Sequence, residues 1–142
     1  MTNAAQKTDA YTVIIYLFSL ILALVLLKSN GMVDMTTWSR WIADIGAKGV
    51  LDTYVDLIRA DEEYPPLSIL ILGGVGSFAR GASIHNYFAV KLSILFFLLI
   101  TSLSFYLYTK DLLLVSVVQF SLVLVTVALG YIDIYFTPFL VV

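Results

Sequence analysis

Apolar and polar residues fall along this chain in long blocks rather than alternating. After a polar start over residues 1–10, Tyr11 to Leu27 is almost continuously apolar, broken only by Thr12 and Ser19. At about 1.5 Å per residue, a helix of this length just reaches across a hydrocarbon core, for which roughly 17–25 residues are needed. The run ends in Lys28-Ser29-Asn30-Gly31, without the small-x-small pattern of a cleavage site. It reads as an uncleaved anchor helix over residues 11–28.

The next block is polar but patterned. Seven of the ten acidic residues lie between residues 28 and 64: Asp34, Asp44, Asp52, Asp56, Asp61, Glu62 and Glu63. Trp38, Trp41, Ile42 and Ile45 stand at i, i+3, i+4 and i+7, which predicts one apolar face on a helix. Thr36 or Thr37 suits its start, and Gly46 or Gly49 its end. Tyr64-Pro65-Pro66-Leu67 closes the block. Each proline fixes its own φ, and Pro66 is well placed as the first residue of a new helix.

Beyond it, residues 67–142 are apolar with short interruptions. The segment 67–79 contains Gly73, Gly74 and Gly76 and fits a thin span, a re-entrant piece or a buried helix. Residues 87–108 form a full-length run with Lys91 near its start, where a long side chain can snorkel to an interface. Residues 112–130 form another, and 131–142 end the chain within an apolar stretch. Such an ending points to a chain cut from a longer one, with a short interfacial helix as the alternative. The expected fold class is therefore all-α: a polytopic membrane helix bundle with an amphipathic helical loop, residues 29–66, between its first two hydrophobic segments. Lys7 mildly favours a cytoplasmic start, which places that loop on the periplasmic or lumenal side.

Composition fits this picture. Hydrophobic residues make up 61% of the chain, charged residues 13%, and the mean hydropathy is +0.97. The net charge of −2 gives no basic stripe for nucleic acid. With no cysteine and one histidine, thiol chemistry and multi-histidine metal sites are excluded. His85, beside Asn86, reads as a loop residue rather than a catalyst. Gly73-Gly74-Val75-Gly76 lacks the Lys-Ser/Thr ending of a phosphate loop and reads as helix packing.

The order Asp34, Trp38, Trp41, Gly49, Tyr54 and Glu63-Tyr64-Pro65-Pro66-Leu67, after one hydrophobic segment, resembles the start of the GT-C glycosyltransferases. The mannosyl- and glucosyltransferase branches look closest. Lys91-Leu92-Ser93 and Gly130-Tyr131-Ile132-Asp133 look like later features of that family. The resemblance implies transfer of a sugar from a polyprenyl-phosphate donor, without a cofactor, by the N-terminal portion of a larger enzyme. It implies Asp34 as catalytic base, against a solvated or helix-capping Asp. Trp38, Trp41, Glu63, Tyr64 and Pro65 become the substrate-binding residues. The partners implied are the lipid bilayer, the polyprenyl-phosphate sugar, and the missing C-terminal part or another membrane subunit. The rival expectation is a small non-enzymatic multi-pass membrane subunit packed against partner membrane proteins.

Overall fold

In a computed structural model, the backbone is described for residues 2–62 and 64–140, and the side chains for residues 10–62 and 64–140. The described residues are all-α. Helices α1 (Thr2–Leu26), α2 (Asp34–Lys48), α3 (Val50–Arg59), α4 (Pro66–Gly81), α5 (Asn86–Thr109) and α6 (Leu112–Leu122) follow in order. A π-helical stretch (Val123–Ala128), a 3-10 turn (Ile132–Tyr135) and the one-turn α7 (Thr137–Leu140) complete the chain.

The architecture is not the polytopic membrane bundle expected from the apolar blocks. Among the described residues, only Asn86–Thr109 is long and apolar enough to cross a membrane. The apolar part of α1, Ala10–Leu26, and the apolar helices Pro66–Gly81 and Leu112–Ala128 fall in the range of 10–17 residues. A span takes about 20 consecutive apolar residues. The sequence reading counted apolar runs as spans without knowing where each helix would start, stop or change its winding. Helix α4 starts only at Pro66 and covers 16 residues, about 24 Å of rise. The 112–130 run leaves α-helical geometry at Val123.

The multi-pass location falls with that architecture, and with it the outward-facing assignment of loop 29–66. The partners drawn from it, a bilayer around several spans and a lipid-linked sugar donor, fall too. So does the rival expectation of a multi-pass subunit.

The chain divides into two compact units. Unit 1 comprises residues 1–30 and 94–142, and within it α1 packs along α6 and the π-helical stretch. Its contact seam is polar. The Gln119 Nε2 donates to Ser19 Oγ at 2.7 Å, and the Ser116 hydroxyl, which donates to the Leu112 carbonyl of its own helix, also approaches the Thr12 carbonyl of α1 at 3.5 Å. Ser29 donates to the Ala128 carbonyl at 3.0 Å, tying the end of α1 to the end of the π-helical stretch. Thr12, Ser19, Ser116, Gln119 and Thr126 are all buried, while Ile14, Leu17, Phe18, Ile21 and Leu24 of α1 are exposed. Hydroxyls and an amide thus share the interior of this unit with apolar side chains such as Ala23, Leu98, Val123 and Val127, while one face of α1 leaves its apolar chains exposed.

Unit 2 comprises residues 31–93. Here the amphipathic helix α2 buries Met35, Trp38, Trp41, Ile42 and Ile45, and α4 packs against that face. Two glycines of α4 set the approach. A Cβ on Gly76 would lie 2.7 Å from Ile42 Cγ2, and one on Gly73 would lie 2.9 Å from Val50 Cγ2. The glycine run is thus a packing surface, as small residues allow. Lys91, expected to reach an interface, is instead fully buried.

Candidate functional site

The predicted site residues fall in unit 2, on α2 and on the connection from α3 to α4. Helix α2 begins at Asp34, after Val33, and no threonine caps it. Thr36 Oγ1 donates back to the Val33 carbonyl at 2.5 Å. Gly49 ends the helix with φ of 92°, a backbone angle that L side chains rarely adopt, and α3 starts at the next residue. Gly46 lies within α2, where its bare face admits the Arg80 guanidinium: a Cβ there would meet Nη1 at 2.8 Å.

The turn after α3 fixes which carboxylate faces the tryptophans. Asp61 takes a left-handed conformation, φ 59°. The Glu62 N–H then donates to the Leu57 carbonyl at 3.0 Å and the Asp61 N–H to Ile58 at 3.2 Å. This crossed pair is a Schellman motif, with Asp61 where glycine is usual. It turns Glu62 back toward α2. There one carboxylate oxygen accepts from Arg40 Nη2 at 2.6 Å and from the Trp41 indole N–H at 3.2 Å.

Tyr64 completes the cluster. Its ring centroid lies 5.1 Å from Trp38 and 5.8 Å from Trp41, while the two indoles stand edge to face at 4.9 Å. Such geometry adds to simple burial, by about 0.5–1.5 kcal/mol per ring pair. Pro65 holds an extended conformation, φ −56° and ψ 135°, and delivers the chain into α4 at Pro66.

Around this cluster lies an open cavity of roughly 410 Å³, lined by Thr37, Trp38, Arg40, Trp41, Asp61, Glu62 and Tyr64. Arg40, its one basic residue, is already paired with Glu62, so the lining keeps one uncompensated negative charge. Tyr64 also lines a second cavity of roughly 440 Å³ with Tyr54, Ile58, Pro65 and Pro66. Arg40 and Glu62 also line a third, smaller one with Asp44, Lys48 and Asp56. There Lys48 Nζ donates to Asp56 at 2.7 Å, and Arg59 approaches the other carboxylate oxygen at 3.4 Å. The Lys48 hydrogen bond holds the Asp56 carboxyl below its ordinary range and pushes the Lys48 ammonium up.

Four of the predicted residues, Trp38, Trp41, Tyr64 and Pro65, therefore come together at two adjoining cavities. Asp34 does not line them. It is half-buried as the first residue of α2, one turn before Trp38, where a carboxylate complements the helix dipole. Glu63 lies outside the described residues. Sequence reasoning missed Arg40, Asp61 and Glu62. Three consecutive acids carry no periodic signal, and it is the Schellman geometry that brings Glu62 to the indole. His85 sits exposed before α5, its Nδ1 accepting from the Tyr87 N–H at 3.2 Å. Among the described residues, no three His, Asp or Glu side chains are grouped so as to hold a metal ion.

Comparisons add no relative. No protein-family model, curated protein or solved structure matches the chain. The resemblance to GT-C glycosyltransferases is accordingly corrected, together with the sugar-transfer function it implied. Among the described residues one helix is long and apolar enough to span a membrane, which is not the polytopic frame of that family.

Proposed function

We propose that unit 2 is a non-covalent binding module for a small organic cation. The observation that carries this reading is the joint lining of one open cavity. Three mutually packed aromatic rings share it with two carboxylates, and its one basic residue is committed to an ion pair. Aromatic π-systems attract cations, contributing about 0.5–1 kcal/mol when exposed and about 2 when desolvated. The Asp61 carboxylate supplies the complementary charge.

Tyr64, half-buried, is proposed as the open ring of the aromatic wall, backed by Trp38 and Trp41, which keep only 5% and 3% exposure, with Pro65 as the rigid support that fixes Tyr64. The Arg40–Glu62 bridge, with the Trp41 N–H on the same oxygen, holds the wall to the loop before any ligand arrives. Such preorganisation reduces the ordering cost of binding. Asp34, set apart from the cavity, has no part in this reading.

The test is a titration of the full chain with tetramethylammonium, following the two indole N–H resonances by NMR. Saturable shifts are expected, with none from an equal concentration of glucose. Asp61→Asn should weaken binding about fivefold or more. Equal affinity in that variant would remove the carboxylate from recognition, and absence of any saturable shift would remove the function.

A further inference from the structure

We infer that the ligand is an amphiphilic cation whose apolar body crosses Tyr64 into the neighbouring cavity; this rests on the cation-binding reading above. The two cavities share Tyr64 but differ in chemistry. On one side stand Asp61 and Glu62 with the indoles; on the other, Tyr54, Ile58, Pro65 and Pro66 bring no charged side chain. Tyr54 and Ile58 are four residues apart on α3 and so share one face of that helix. Ile58 is 48% exposed there, while Leu57 turns inward.

The opposite wall is stiff. Pro65 and Pro66 each have φ fixed by their rings, and Pro66 is already the first residue of α4. An apolar surface that needs no rearrangement loses little on binding. The third cavity lies beyond the Arg40–Glu62 bridge and is lined by Lys48 and Asp56, already paired with one another. Leu57 and Ala60 also line it, but an apolar chain there would have to desolvate the charged Arg40, Asp44, Lys48, Asp56 and Glu62. The polarity of the site therefore orients the ligand, with its cationic head at Asp61 and its tail between Ile58 and the prolines.

The experiment titrates the full chain with trimethylammonium ions bearing n-alkyl groups from methyl to hexyl, each below its aggregation concentration. Affinity should rise by about fourfold for each methylene that is buried, until the cavity is filled. Ile58→Asn should flatten that rise while leaving tetramethylammonium affinity unchanged. Hexanol, lacking the head, should bind far more weakly than hexyltrimethylammonium.

A flat series on the unaltered chain, with tetramethylammonium still bound, would overturn the amphiphile and leave the cation site standing. A rise that persists in Ile58→Asn would place the tail elsewhere and equally overturn it. Hexanol binding as well as the cation would remove the head group from recognition. If neither tetramethylammonium nor any longer ion binds, the cation-binding reading fails as well.

Discussion

Gln119 donates to Ser19 at 2.7 Å across 100 positions of sequence, and both side chains are fully buried. Ser19 in turn donates to the Tyr16 carbonyl at 2.7 Å, while Gln119 Oε1 is left without a hydrogen-bond partner. The amide thus gains one bond and forgoes another. Ser19→Ala should cost about 1–3 kcal/mol, because it strands the Gln119 amide entirely. Gln119→Leu should cost less, since it removes the donor and the unpaired acceptor together. Thermal unfolding followed by circular dichroism would check this, with the double variant more stable than Ser19→Ala alone. Additive losses would mean that the pair is not coupled.

Helix α4 offers an internally controlled pair of glycines. A Cβ at Gly76 meets Ile42, itself fully buried, whereas nothing lies within 4 Å of a Cβ at Gly74. Gly76→Ala should therefore destabilise by about 1–3 kcal/mol through overpacking. Gly74→Ala should stabilise by roughly 0.5–1 kcal/mol, because it removes backbone freedom from the unfolded chain. Denaturant midpoints moving in opposite directions would confirm the contrast.

Asp61 sets stability against binding. Its left-handed backbone suits glycine better than any L residue. Asp61→Gly should raise stability by about 0.5–1 kcal/mol and at the same time abolish the carboxylate's share of cation affinity. Asp61→Asn should lose that share while keeping stability nearly unchanged, since asparagine also tolerates this conformation. Paired melting curves and tetramethylammonium titrations would separate the two effects.

The Lys48–Asp56 pair makes a signed prediction about pH. The Asp56 carboxyl is held low in the folded chain, so its stabilising share is present above the unfolded carboxyl pKa. It is lost as pH falls through the lowered folded value. The Lys48 ammonium is held high, so its share is present below the unfolded lysine pKa and lost as pH rises through the raised folded value. Both groups are open to solvent, and the effect should be small and screened by salt. Lys48→Met should flatten the dependence at both extremes; an unchanged profile would show that the pair contributes nothing.

Much of unit 2 was legible in the sequence because its signals are local. The spacing of Trp38, Trp41, Ile42 and Ile45 marks the buried face of α2, and Pro66 marks the first turn of α4. The site was only half legible. Aromatic residues announce themselves by type, but the turn of Glu62 toward the indole depends on a left-handed Asp61, which no composition rule reports. Unit 1 misled for a different reason. Its apolar runs were read as lengths of membrane span, whereas pairing across the Ser19–Gln119 seam and the change of winding at Val123 are decided between segments distant in sequence. Lys91 was misjudged likewise: a single charge near a helix start carries no mark of what surrounds it.

Both tryptophans of the chain stand three residues apart on α2, their rings 4.9 Å apart, and unit 1 contains none. The molecule therefore carries a built-in optical reporter for one of its halves. Indole emission follows unit 2 alone, while helical ellipticity sums over both units. Superimposed denaturation curves from the two signals would make the chain one cooperative body. Curves that separate would give the stability of each unit from a single sample, without any label.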